Sequence, residues 1–249
     1  MAQPKTRASR IIESFDFHSG RILANKYEVL YHLGSGWEGD VYLVREAATG
    51  IERAAKFFFP HRNPRNRNLA FYARKLHKLR SCPILIQYQT HETIWYQGIR
   101  VAFLISDYVP GELLSDFLKR QPGERLDYFQ ALHLLHALTV GIEHIHEQRE
   151  YHGDLHTENI ILNRVGLEFQ VKLIDMFHWG AATRFNIQDD VCDLIRIFYD
   201  ALGGRRFYAK QPPEIKSIIC GLKKTLILSK FNTAGKLRRY LEHMRWHTR

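Results

Sequence analysis

The sequence predicts an α+β fold, with a β-rich smaller part up to about residue 108 and a mostly helical remainder. Two observations carry this. Short runs of Val, Ile, Tyr and Phe, separated by turn residues, fill the first part. After "PGELL" the apolar spacing changes from alternation to helical periodicity. A hydrophobic fraction of 45% with 12% aromatics is enough to fill a core.

Residues 1–25 read as a polar, basic N-terminal extension, with a short ordered piece at "RIIESFDF". "YEVLYHL" (27–33), "GDVYLVREA" (39–47) and "IERAAKFFF" (51–59) then predict a three-strand antiparallel meander. Residues 67–80, "RNLAFYARKLHKLR", place Leu69, Tyr72, Leu76 and Leu79 at helical spacing opposite a basic face. "ILIQYQTHETIWYQGIRVAFLISDYV" reads as two more strands and their turn. Helices are expected over 126–150, 189–202, 213–226 and 233–246. The expected division is an extension (1–25), a first lobe (26–108) and a second lobe (109–249).

The net charge of +10 is uneven. Residues 1–100 hold 16 Lys and Arg against 8 Asp and Glu, 101–204 hold 8 against 16, and 205–249 hold 12 against 2. An acidic middle suits divalent cations, and basic ends suit anions or an acidic partner. The basic side chains Arg62, Arg65, Arg67, Arg74, Lys75, Lys78 and Arg80 are a candidate face for such a partner. Few aromatics interleave with them as stacking platforms, so nucleic acid is not expected. The three cysteines are far apart and form no CxxC pair, which points to a reducing, cytoplasmic location. No apolar run approaches the roughly 18–20 residues of a membrane span, and the N-terminus has no apolar core of a secretory signal.

Four stretches carry chemistry. "LGSGWEGDVY" (33–42) sets Gly34, Gly36 and Gly39 between two strands, where main-chain N–H groups can approach a phosphate chain. A strand, not a helix, follows Gly39, which argues against a dinucleotide-binding turn. Lys56, in "AAK", lies on the next strand and can reach phosphates. In "HGDLHTENII" (152–161), Asp154 can accept a hydroxyl proton and Asn159 can ligate Mg²⁺. Asp175, closing the apolar strand in "VKLID", can supply a second metal contact. His144 and His146, two apart on a helix, do not form a metal pair, and His146 reads as a packing residue.

Taken in order, these motifs resemble the protein-kinase-like superfamily over about residues 27–246. The resemblance implies a bilobal fold, with an antiparallel sheet plus one helix in the first lobe and a mostly helical second lobe. It implies ATP and Mg²⁺ as nucleotide and metal. Asp154 would be the catalytic base, with Lys56, Asn159 and Asp175 completing the catalytic set, and Asn159 and Asp175 holding the metal. Leu33, Gly34, Gly36, Gly39, Val41, Ala54, Lys56, Asp107, Val109, Glu112 and Ile161 would line the nucleotide site. "LISDYVPGELL" is similar to the gatekeeper and hinge, with Ser106 at the gate. "DDVCDLIRIFYDALGG" resembles the helix whose Asp190, rather than Asp189, anchors the catalytic loop. "KFNTAGKLRRYLEHMRW" is similar to the closing helix.

Four departures stand out. No Asp or Glu occurs between Phe57 and His91, so the helical Glu that pairs with the strand lysine is missing and Tyr72 or Ala73 takes its place. His156 stands where Ser/Thr kinases carry a Lys, and Phe177 where the family has the third Gly of its metal-binding motif. The stretch from Asp175 to Asp190 is short. The expected activity is transfer of the ATP γ-phosphate to a protein hydroxyl by a compact Ser/Thr-type kinase. A small hydroxyl compound or sugar as acceptor, or a nucleotide-binding module without turnover, are the alternatives.

Overall fold

The computed structural model describes residues 11–166, 168–176 and 180–245. Residues 1–10, Phe177 and Trp246, which enter the sequence reading, lie outside these. The chain divides into two compact units, residues up to 77 with 87–108, and residues 78–86 with 109 onwards.

In the first unit, strands β1 (Ile22–Leu23), β2 (Tyr27–Ser35), β3 (Gly39–Glu46), β4 (Glu52–Phe58), β5 (Tyr88–Tyr96) and β6 (Ile99–Asp107) form one antiparallel sheet in the order β1-β2-β3-β4-β6-β5. The expected meander is β2 to β4. The β5–β6 hairpin closes through Gln97 and Gly98, both at positive φ (51° and 77°), as a two-residue turn of matching twist requires. Alternation along β4 sends Ala55 and Phe57 to one face and Ala54, Lys56 and Phe58 to the other.

The first face is covered from a direction the sequence does not announce. Ile12, Phe15 and Phe17 are each only 5% exposed and pack with Tyr42, Phe57, Phe59 and Tyr96. The Phe17 and Phe57 rings are 4.8 Å apart, and Phe15 and Phe59 stack at 5.6 Å. Polar contacts fix this strap. Phe15 N donates to the buried Asp40 Oδ2 at 2.7 Å, Tyr42 Oη donates to Phe15 O at 2.6 Å, and Asp16 N donates to Tyr96 Oη at 3.1 Å. The boundary expected at residue 26 therefore falls inside the core of the first unit. The "RIIESFDF" stretch looked polar because its apolar residues are spaced out among Glu, Ser and Asp, and their partners lie far along the chain. Helix α1 (Arg67–Lys78) presents its expected apolar stripe, with Leu69, Tyr72 and Leu76 buried.

The second unit contains a three-stranded sheet, β7 (Glu112–Leu113), β8 (Ile160–Val165) and β9 (Glu168–Leu173), and seven further α-helices among the described residues. These are α2 (Leu114–Lys119), α3 (Tyr128–Glu147), α4 (Arg184–Ala201), α5 (Gly204–Tyr208), α6 (Pro213–Ile219), α7 (Lys224–Lys230) and α8 (Ala234–His243). Asp127 caps α3 by accepting from Phe129 N and Gln130 N, both at 2.9 Å. Helix α4 begins earlier than expected because Thr183 and Asn186 form a reciprocal capping box. The single helix expected over 213–226 is two, since Cys220, Gly221 and Leu222 all adopt positive φ. Residues 78–86, assigned by sequence to the first lobe, belong here. Ile84 O accepts from Leu173 N at 2.7 Å, and its side chain fills the space left by Gly141, where a Cβ would come within 2.1 Å of it. Helix α3 packs against α4 and α8.

Phe17→Ala is expected to cost roughly 3–5 kcal/mol of unfolding free energy, because a ring enclosed by other rings leaves a cavity. Urea denaturation of the full chain measures it, and a change below about 1 kcal/mol would show the strap to be incidental.

Candidate functional site

The first unit supplies the glycine-rich hairpin and Lys56. Gly34 pairs with Val41, and Gly36 N donates to Gly39 O at 2.8 Å. The three glycines are not equivalent. A Cβ on Gly39 would sit 1.8 Å from Phe57 O, so packing against β4 demands glycine there. Gly36 would meet only Gly39 O at 3.9 Å, Gly34 nothing within 4 Å, and neither has positive φ. Among the described residues nothing accounts for their lack of side chains, whereas an approaching external group would. Leu33 is exposed, and Val41 and Ala54 are half-buried.

Lys56 lies opposite Val41 and Leu104 and is 9% exposed. The carboxylate that α1 lacks comes from the hairpin: Nζ donates to Glu38 Oε2 at 3.2 Å. Helix α1 meets the same ammonium with the Tyr72 ring, 5.1 Å away, and Phe58 lies at 5.6 Å. No sequence pattern singles out Glu38. Ser106 is buried, and Asp107 accepts from Arg53 and from Gln89 Nε2 at 2.9 Å. The basic face is smaller than the sequence suggests. Lys75 is buried, Arg62 bonds Trp37 O and the exposed Lys78 pairs with Glu150 at 2.6 Å, leaving Arg65, Arg67, Arg74 and Arg80 as the rest of the exposed face.

The second unit holds Asp154, Asn159 and Asp175. Asp190 is fully buried at the centre of its polar network. Its Oδ2 accepts from His152 N at 2.8 Å, and its Oδ1 from Gly153 N at 2.8 Å. His146 Nε2 approaches Oδ2 at 2.9 Å, so His146 is a polar partner and not the packing residue expected. Asp189 instead pairs with Lys224 at the surface. With the turn held this way, the Asp154 side chain is 56% exposed. Asn159 Nδ2 donates to Asp154 O at 2.9 Å and to Asp154 Oδ2 at 3.0 Å. His156 Nε2 is 2.8 Å from the same amide and 3.6 Å from Asp154 Oδ1.

Asp175 is placed by its neighbour. Ile174 N donates to Asn159 O at 3.0 Å, and Ile174 O lies 3.1 Å from His152 Nε2. Asp175 itself has φ of 53°, a left-handed conformation that costs a non-glycine residue about 1–2 kcal/mol and concentrates at functional sites. The structure thus holds Asp154 and Asn159 in one loop, and the main chain just before Asp175 is bonded to that loop through Ile174. The donor set fits a hard cation: a carboxylate, and an amide whose nitrogen is spent on the loop while its oxygen accepts from no described residue. Among the other expected residues, Val109 is half-buried, Glu112 accepts from Arg120 Nε at 3.0 Å, and Ile161 pairs with Leu113 and Lys172.

The protein kinase domain model matches residues 27–215, about three quarters of the chain. The chain belongs to the protein kinase domain family. The α+β, two-lobed fold class expected from the sequence is that of this family. Calcium-dependent protein kinase 4 of Plasmodium falciparum is 26% identical over 184 residues, which is 73% of this chain and 33% of that protein. Death-associated protein kinase 2 of Homo sapiens is 31% identical over 154 residues, 60% of this chain and 40% of that protein. Sporulation-specific protein 1 of Saccharomyces cerevisiae is 36% identical over 73 residues, 29% of this chain and 14% of that protein. The matched stretches thus span well under half of each of these relatives. Among the described residues no helix is long and apolar enough to cross a membrane.

One carboxyl of the kinase domain's second unit titrates far from its usual range. Burial pushes Asp193 up to about 7, helped by Asp190, Asp189 and Asp154 and opposed by Lys224. The folded protein holds a proton that the unfolded chain gives up near 3.8, so this group's contribution to stability falls as pH rises from 3.8 to about 7. Asp193→Asn is therefore expected to raise the melting temperature at about pH 8.5 by a few degrees more than at about pH 5. Thermal melts at both pH values test this, and equal shifts would contradict it.

Proposed function

We propose that this kinase domain transfers the γ-phosphate of ATP, with Mg²⁺, to a hydroxyl of a protein substrate, as a compact Ser/Thr-type kinase of the cytoplasm. The observation that carries the reading is the catalytic loop, in which an exposed Asp154 is flanked by Asn159 and held by main-chain bonds to the buried Asp190. In the reaction the acceptor hydroxyl oxygen forms a bond to the γ-phosphorus while the bond to the β–γ bridging oxygen breaks and ADP leaves. Asp154 orients the hydroxyl and accepts its proton. Asn159 Oδ1 and the Asp175 carboxylate are the groups that would hold Mg²⁺. When bound, the metal neutralises charge on the phosphates. Lys56 positions the α- and β-phosphates, and the open hairpin at Gly34 and Gly36 lets main-chain N–H groups approach them. Phosphoryl transfer asks little covalent chemistry of the protein, so positioning and electrostatics carry the rate.

A second reading concerns a partner. A cavity of about 660 Å³ in the first unit is lined by Arg65, Arg74, Arg100 and His91 over apolar residues including Leu69 and Val101, with no Asp or Glu among its described lining. Uncompensated positive charge over an apolar floor fits an acidic segment carrying an apolar side chain.

With labelled ATP and a lysate, the wild type is expected to label protein, and Asp154→Ala to lower transfer by about 10²-fold or more. Label on a small metabolite alone would move the acceptor to the small-molecule class, and no label anywhere would overturn the reading. For the cavity, Arg74→Glu with Arg100→Glu is expected to weaken binding of a Glu-rich, Phe-containing peptide about tenfold. Unchanged binding would remove the acidic partner.

A further inference from the structure

In this family a strand lysine does not hold its place unaided; a carboxylate fixes the ammonium where the phosphates will be. Helix α1 offers none, since no Asp or Glu occurs between Phe57 and His91. What stands at 3.2 Å from Lys56 Nζ is Glu38, two residues after Gly36 in the glycine-rich hairpin. The pair is shielded, with side chains only 11% and 18% exposed, so its attraction is less screened than that of a surface pair.

The hairpin tip is itself anchored. Glu38 O accepts from Phe59 N at 2.9 Å. The neighbouring Trp37 ring lies 4.7 Å from the Arg62 guanidinium, which also donates to Trp37 O. The Arg62 carbonyl in turn accepts from Asn68 Nδ2 at 2.7 Å, and Asn63 Oδ1 accepts from Asn68 N at 3.1 Å and Leu69 N at 3.3 Å. Trp37, Arg62 and Asn68 thus join the tip to the first turn of α1. The helix that lacks the acid instead braces the loop that has one.

We propose that Glu38 is the positioning carboxylate of Lys56, supplied by the phosphate-covering loop in place of the helical Glu. This inference rests on the nucleotide-site reading given above. One loop then does two things: its main chain approaches the phosphates, and its side chain sets the lysine that binds them. Lys56 has three N–H donors, so it can keep Glu38 while it meets a phosphate oxygen.

The test uses the full chain with Glu38→Gln, Glu38→Asp and Glu38→Ala. Readouts are kcat and KM for MgATP, the Kd of MgADP and of adenosine by calorimetry, and the melting temperature. A purely structural side chain is best replaced by its isostere, so Gln would be near neutral and Asp worse. An ion-pair partner gives the reverse order. The expectation is a fall in kcat of about tenfold or more for Gln and Ala, a smaller fall for Asp, and an unchanged adenosine Kd. Tyr72→Glu in the Glu38→Ala background restores part of the loss, because Tyr72 faces the same ammonium. If that double variant does not fold, the Gln-against-Asp order still decides. Wild-type kcat in Glu38→Gln, with an active wild type, overturns the role of Glu38 alone. A wild type that neither binds MgADP nor transfers phosphate takes down the nucleotide reading and this inference together.

Discussion

Two main-chain N–H groups converge on the fully buried Asp190 carboxylate, and the polar framework of the second unit is arranged around that meeting. A carboxylate taken out of water is tolerable only when its oxygens are satisfied, and stripping its partners leaves a charge that costs about 3–5 kcal/mol. The constraint therefore acts in two directions. It fixes α4 against the end of α3 through His146, and it fixes the backbone of His152 and Gly153. Gly153 has φ of 80°, which a side chain would resist, so the turn that exposes Asp154 depends on both the glycine and the carboxylate. Ile174 extends the same framework, bonding the main chain just before Asp175 to Asn159 and His152.

The parts of this molecule that were legible in the sequence are those with a short-range physical signature. Strands β2 to β6 announced themselves through alternation, α1 and α3 through helical spacing, and the glycine hairpin and the Asp154–Asn159 loop through residue types at fixed offsets. The strap at Ile12–Phe17 was not legible, because its rings find partners at Tyr42, Phe57 and Tyr96 and its local pattern is mixed. Glu38 was missed for a similar reason: a carboxylate between two glycines looks solvated until the hairpin folds it towards Lys56. Other misses had a usable signal. Thr183 and Asn186 sit at the spacing of a helix cap, and Gly221 warned of a break that Cys220 and Leu222 did not.

Charge patterning acquired a specific meaning once burial was known. Of the four acidic residues on α4, Asp189 is neutralised at the surface by Lys224, Asp190 is consumed by the loop that carries Asp154, and burial pushes up both Asp193, to about 7, and Asp200. The same excess of carboxylates that looked like a cation site is thus distributed over three different tasks. On the basic side, Lys75 is sequestered, Arg62 is engaged and Lys78 is paired with Glu150, which leaves a narrower exposed basic face than the composition implied.

The strap has a consequence for where this kinase domain can be said to start. The family match begins at Tyr27, yet Ile12, Phe15 and Phe17 cover one face of the sheet upstream of it. A fragment trimmed to the matched region would uncover Phe57, Phe59, Tyr42 and Tyr96 as one contiguous aromatic surface and leave Asp40 without its main-chain donor. Surfaces of that kind drive self-association. The core of the first unit accordingly draws on side chains upstream of the matched region, and these precede every motif by which the family is recognised.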